Sequence, residues 1–288
     1  MKPATKIFLY IVFGVVALVI FLYLRFPSEM VKLVLQDRVK RFDPKASLEI
    51  DRINPAIPPG LKLEALSARY ADMPILHMNF FKITPSLFNI FSSSSRYSYR
   101  GEIGSGDLRG RAVTAVKNDR IQSKITVTLN RVPLNYLEIL QQWKGVKADG
   151  ELDADIVFDS AKGGGSADVD LEISPARIAF DPPLMDVAAL DFSQLKGRLM
   201  VTRRMLQIKS CDGIGNQIDG NLTGTIVLRE PIEESRMSLS LTVKPRQAFI
   251  SDHKNDMIGG LLSSANAQNR GIVFRITGTI NNPRYVIR

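Results

Sequence analysis

The sequence predicts a mainly β protein of 288 residues: one N-terminal transmembrane helix, then a long curved antiparallel sheet of repeated hairpins that forms a groove, with a few short helices. Three observations carry this expectation. Ile7 to Leu24 is a run of eighteen residues without a charge. From about residue 47 the apolar residues recur with period two. One hairpin pattern then appears twice at a constant offset. The expected organisation is a tail and membrane anchor over 1–25, an amphipathic helix over 26–42, and a β-rich domain over 43–288.

The apolar run, IFLYIVFGVVALVIFLYL, reaches roughly 27 Å as a helix, close to the hydrocarbon thickness of a bilayer. Tyr10 and Tyr23 stand near its ends, where amphipathic rings favour the membrane interface. A cleaved signal peptide would have a shorter apolar region and a small-residue cleavage site. Arg25-Phe26-Pro27-Ser28 follows instead. Positive charges flank both ends, so charge counting does not orient the span. Residues 28–42 then place Met30, Val31, Val34, Leu35 and Val39 at helical spacing, with Ser28 as expected N-cap. The basic residues fit attachment to anionic headgroups, but a helix capping the end of the main domain is the favoured reading.

The strands follow in order. Ile125, Val127 and Leu129 alternate with Lys124, Thr126 and Thr128. Leu152, Ala154, Ile156 and Phe158 alternate with Glu151, Asp153 and Asp155, and Val169, Leu171 and Ile173 with Asp168, Asp170 and Glu172. Later come Leu222, Ile226 and Leu228, then Leu239, Leu241 and Val243, then Phe274 and Ile276. One apolar face and one wet face per strand indicate an antiparallel sheet rather than a parallel sheet covered on both sides. Gly163-Gly164-Gly165-Ser166 and Gly104-Ser105-Gly106 read as turns, since neither carries the rest of a phosphate-binding fingerprint.

Residues 149–175 and 219–245 both begin Asp-Gly-x-Leu and end in proline, with seven of 27 positions identical at an offset of 70. The expected unit is a hairpin whose second strand stops at Pro175 or Pro245; the segment 107–133, ending at Pro133, is a looser copy. Short helices are expected at Pro133–Trp143, Thr84–Phe91 and Asp256–Leu262.

Composition limits the chemistry. A lone Cys211 excludes a disulfide framework or a multi-cysteine zinc site, and His77 and His253 are too few for an imidazole centre. His77 sits in an apolar stretch and reads as a satisfied strand residue; His253 reads as surface. Asp149, Glu151, Asp153 and Asp155 share one strand face and read as a solvated face rather than an acid–base pair. Of the net charge of +9, +5 falls in residues 1–42, so the body lacks the basic stripe of a nucleic-acid binder. No enzyme activity, cofactor, metal or nucleic-acid partner is expected.

The pattern resembles the type II secretion system protein N family and, beyond it, the AsmA-like periplasmic proteins. The resemblance rests on a single span followed by Phe26-Pro27 and an amphipathic helix. It continues through Thr84-Pro85-Ser86-Leu87 ahead of Gly101-Glu102-Ile103-Gly104, Val132-Pro133-Leu134 before the Asp149-Gly150 hairpin, and the closing Phe274-Arg275-Ile276-Thr277-Gly278-Thr279-Ile280-Asn281-Asn282-Pro283. It implies a single-pass inner-membrane protein anchored by residues 7–24, with its C-terminal domain in the periplasm. It also implies a non-catalytic accessory role in a type II secretion system, with other secretion components as partners. The AsmA-like relatives imply an alternative: a lipid-binding or lipid-transfer module that shelters phospholipid chains between the envelope membranes. A one-sided sheet must hide its apolar face, and with few helices available acyl chains are a fitting cover. The expected groove is lined by Ile125, Val127, Leu129, Leu152, Ile156, Phe158, Val169, Leu171, Ile173, Leu222, Ile226, Leu228, Leu239, Leu241, Val243, Phe274 and Ile276.

Overall fold

The computed structural model describes residues 3–86, 94–117, 120–141, 145–184, 187–247, 249 and 271–287. Two helices, α1 (Pro3–Leu24) and α2 (Ser28–Phe42), precede a single antiparallel sheet of fourteen strands. The strands are β1 (Ala46–Ala56), β2 (Gly60–Tyr70), β3 (Met73–Pro85), β4 (Ser94–Ile103), β5 (Gly106–Lys117), β6 (Arg120–Pro133) and β7 (Val146–Asp159). They continue as β8 (Ser166–Leu184), β9 (Val187–Thr202), β10 (Met205–Gly215), β11 (Ile218–Val227), β12 (Arg236–Pro245), β13 (Ile272–Thr279) and β14 (Pro283–Ile287). Each pairs with the next in chain order, so the sheet is an unbroken meander. The alternating pattern reports this directly, because short turns favour pairing between sequence neighbours.

The sheet is not flat. Lys45, just before β1, forms an ion pair with Glu230, just after β11. Ten inter-strand steps of about 4.8 Å would hold those strands roughly 48 Å apart in a flat sheet. Ten steps of about 20–25° of twist turn the strand direction by more than about 180°, which carries the start of β1 round toward the end of β11.

A second departure from ideal strands recurs. Pairs of inward apolar residues stand three apart, not two: Ile50 and Ile53, Leu63 and Leu66, Met78 and Phe81, Leu129 and Val132, Ile173 and Ala176, and Phe192 and Leu195. In β6 the switch falls at Arg131, where φ is +48°, and the register against β7 breaks there. Such irregularities sharpen local twist and keep one face turned inward along a coiling strand.

Two cores close the ends of the apolar face. In the first, Phe26, Val31 and Leu35 of the N-terminal segment pack with Ile50, Leu63, Leu66 and Met78, and Leu134, Leu137 and Leu140 join from the segment after β6. Ile103 is 1% exposed there and Val132 is 0% exposed. The second core gathers Ala176, Phe192, Ile218, Ile272 and Phe249.

Several expectations need correction. Pro133–Trp143 is not one helix: a 3-10 turn, Leu134–Tyr136, precedes α3 (Glu138–Gln141), and Trp143 lies outside the described residues. Thr84 and Pro85 belong to strand β3, because their backbone pairs with Ser98 and Tyr97; the rest of Thr84–Phe91 beyond Ser86 is outside the description. Asp256–Leu262 and His253 also lie outside it. Pro175 sits within β8 at the irregularity facing Gly150, whereas Pro245 and Pro133 do end their strands. The two hairpins are therefore similar but not identical: Leu152 faces Ile173, while the equivalent Leu222 faces Leu241. Ser28 starts α2 but makes no capping bond; the cap position is Pro27.

Among the described residues no helix is long and apolar enough to cross a membrane. The helix α1 covers the expected span, yet the side chains of residues 7, 8, 15, 16, 19 and 22 fall outside the description.

Candidate functional site

Residues directly opposite one another in a ladder project from the same face. The registers can thus be followed across the sheet as rows of side chains. One row runs Val127, Ile156, Val169, Leu199, Ile208, Gly224, Leu239, Ile276. Beside it runs Ile125, Phe158, Ala167, Val201, Leu206, Ile226, Met237. On the other side runs Leu129, Ala154, Leu171, Gly197, Cys211, Leu222, Leu241, Phe274. A fourth row, Val132, Leu152, Ile173, Leu195, Gly213, Gly220, Val243, Ile272, borders the cores. From β6 to β13 three of the rows cover seven inter-strand steps, roughly 34 Å at about 4.8 Å per step, and the row from Ile125 ends one strand earlier, at β12. The result is one uninterrupted apolar band.

Sixteen of the seventeen expected groove residues stand in these rows; Leu228 lies one residue past the end of β11. Their exposure is the informative property. Leu152 and Leu239 are buried, and the other fifteen are half-buried. A sandwich core would bury the whole band, since interiors are close-packed. Among the described residues, the two end cores take in Val127, Leu129, Leu171 and Phe274 from the band as well as much of its fourth row, whereas Leu199, Ile208, Leu222, Ile226 and Leu241 belong to neither.

Sequence reading missed β9 and β10, which bring Leu195, Leu199, Val201, Leu206 and Ile208 into the band. The signal was present but broken by the three-residue spacing between Phe192 and Leu195 and by the irregularity between Ile208 and Cys211. Small residues set how closely neighbouring side chains lean across the band. A Cβ at Gly197 would lie 3.0 Å from the Leu171 side chain, and one at Gly110 would strike the Tyr99 ring at 2.4 Å. Cys211 is half-buried between Gly197 and Leu222, and burial, followed by the adjacent Asp212 carboxylate, pushes its thiol pKa upward. A thiol so placed is protonated and apolar rather than nucleophilic.

The opposite face is wet. Asp149, Glu151, Asp153 and Asp155 are exposed, as expected. Asp155 accepts a 2.7 Å hydrogen bond from the Thr128 hydroxyl, and Asp153 accepts one of 2.9 Å from the Arg131 amide. A hydrogen bond from Lys209 holds the Asp168 carboxyl below its ordinary pKa, with further attraction from Lys209 and Lys162. A depression of about 520 Å³ lies on this face around Asp155, Asp170, Lys196 and Arg198. Its carboxylates are solvated, and no group of three His, Cys, Asp or Glu able to hold a metal occurs among the described residues. His77 is the satisfied strand residue expected, with Ser67 Oγ 2.9 Å from its Nδ1.

No protein-family model, curated protein or solved structure matches the chain. The family resemblance rests on the quoted residues alone.

Proposed function

We propose that this chain is a non-catalytic, single-pass inner-membrane protein whose periplasmic sheet binds the acyl chains of phospholipid along its apolar band. The observation that carries the reading is the continuity of apolar side chains from β6 to β13, most of them half-buried rather than enclosed. Water contact along such a band is costly, at about 25 cal/mol per Å² of apolar surface. Acyl chains remove that cost without specific polar partners, and the band is longer than the roughly 30 Å hydrocarbon core of a bilayer. The uncharged run at residues 7–24 supplies the anchor. The orientation and compartment come from the family resemblance.

The test is a photoreactive amino acid at Ile226, with Thr225 on the opposite face of the same strand as control. Cross-linking in cells should attach phospholipid at 226 and not at 225. Equal labelling of both faces, or none at 226, overturns the proposal.

A second reading, an accessory component of a type II secretion system, is favoured by one observation. The last strand, β14, is a short sheet edge with Tyr285 62% and Val286 55% exposed. Free edges recruit partner strands. Deleting the gene should then lower secreted enzyme levels; unchanged secretion removes this reading.

A further inference from the structure

The helix α2 has two apolar faces. One faces the sheet: Val31 and Leu35 pack into the first core, the Gln36 amide donates to the Leu48 carbonyl at 3.0 Å, and the Lys32 ammonium donates to the Asp51 backbone carbonyl at 3.4 Å. These contacts run α2 antiparallel to β1 and cover that edge strand. The other face looks outward. Met30 is 67% exposed, Leu33 65% and Val34 53%, at the i, i+3, i+4 spacing of a single stripe. No core packing explains these three.

Polarity changes along that stripe. Its first two turns are apolar. Its last two turns carry Asp37, Arg38, Lys40 and Arg41, all exposed. Arg41 pairs with Asp37 at 2.7 Å, and Arg38 and Lys40 form no ion pair among the described residues. A second apolar group joins the same end of the molecule. The Tyr23 hydroxyl donates to the Ala56 carbonyl at 2.5 Å, which sets the β1–β2 turn beside the end of α1. Ile57, in that turn, is 79% exposed, and Lys82 donates to its carbonyl at 2.7 Å.

We infer that the outer face of α2 and the β1–β2 turn form a foot that seats the domain on an anionic lipid surface. Met30, Leu33, Val34 and Ile57 enter the headgroup–acyl boundary, and Arg38 and Lys40 face lipid phosphates. The inference rests on the proposed anchor. Even fully extended, the chain from Leu24 to Met30 reaches no more than roughly 21 Å, so a bilayer crossed by α1 lies within reach of this stripe. An amphipathic helix with basic residues and exposed large apolar groups is the form that binds such a surface. The foot also places the β1 end of the sheet, where the apolar face begins, at the membrane.

The test uses the full chain with Cys211→Ser, reconstituted into phosphatidylcholine vesicles with or without phosphatidylglycerol. Single cysteines introduced by Leu33→Cys, Ile57→Cys, Ala17→Cys and Arg203→Cys carry an environment-sensitive fluorophore. Quenching by lipids spin-labelled near the headgroup is then compared at positions 33, 57 and 203, and quenching by lipids spin-labelled deep in the acyl chain is read at position 17. Positions 33 and 57 should quench several-fold more than position 203. Adding Arg38→Glu and Lys40→Glu should reduce quenching at 33 in phosphatidylglycerol vesicles without changing it at 17. Quenching at 17 with none above the 203 level at 33 and 57 overturns the foot while sparing the anchor, and leaves a protein partner or second copy as the occupant. Insensitivity of position 33 to the charge reversal overturns the headgroup assignment. Absence of quenching at 17 removes the anchor and the foot together.

Discussion

Placing a carboxylate at two depths of the apolar face separates an open band from a closed core. Ile103 is 1% exposed beneath the first core, and Leu199 is half-buried in the middle of the band, between Val169 and Ile208. Ile103→Asp forfeits the burial of a large aliphatic chain, about 1.5–3 kcal/mol, and adds several kcal/mol for an unpaired buried charge. Together these rival a typical total stability of about 5–15 kcal/mol, so the variant should not fold. Leu199→Asp keeps its carboxylate in water. It should cost about 1 kcal/mol and lower the melting temperature by about 2–4 °C. Lipid retention should respond differently. Denying contact to three or four methylenes, at about 0.8 kcal/mol each, weakens acyl-chain binding about 100-fold. Circular dichroism melts and titration with an acyl-labelled fluorescent phospholipid read the two effects. The reasoning is refuted if Leu199→Asp unfolds as Ile103→Asp does, or if it folds and binds lipid like the parent.

Three further outcomes follow from particular contacts. Val132→Ala removes two methyl groups from a site with no exposure and should destabilise the domain by about 2–3 kcal/mol in urea unfolding, while lipid binding by the folded fraction is unchanged. Gly110→Val should lower the melting temperature sharply, because its Cβ would lie 2.2 Å from the Thr126 carbonyl oxygen and displace Tyr99, whose hydroxyl bonds that same oxygen at 2.7 Å. Burial favours the neutral thiol of Cys211, so its alkylation rate in the folded chain should still climb with pH above about 8.5, the ordinary thiol pKa, where the urea-unfolded chain levels off. A folded-state profile that superimposes on the unfolded one contradicts that placement.

Much of the architecture was legible because the dominant physical signal was local. Alternation in β7, β8, β11 and β12 marked both strand identity and inward face, and the Gly163–Gly165 and Gly104–Ser105 turns set hairpin pairing. The sixteen expected residues that fall in one band did so because each strand's inward face is fixed by its own sequence. The misses share a cause. Three-residue spacings hide β1, β2 and β9 from a period-two reading, and Pro175 resembles a strand end although β8 tolerates it at an irregularity. The outer stripe of α2 was visible as amphipathic spacing, but only its packing on β1 shows which apolar residues are left over. Coiling of the sheet depends on accumulated twist, which no single strand encodes; the Lys45–Glu230 pair reveals it.

The most direct test of the central claim is a lipid analysis of residues 26–288, exported to the periplasm and purified without detergent. This portion keeps α2 over the first core. Extraction with organic solvent and mass spectrometry should find phospholipid in stoichiometric amount, and Leu199→Asp should deplete it. A stable, folded protein that carries no lipid would show that the sheet closes on its own apolar face, and would contradict the account.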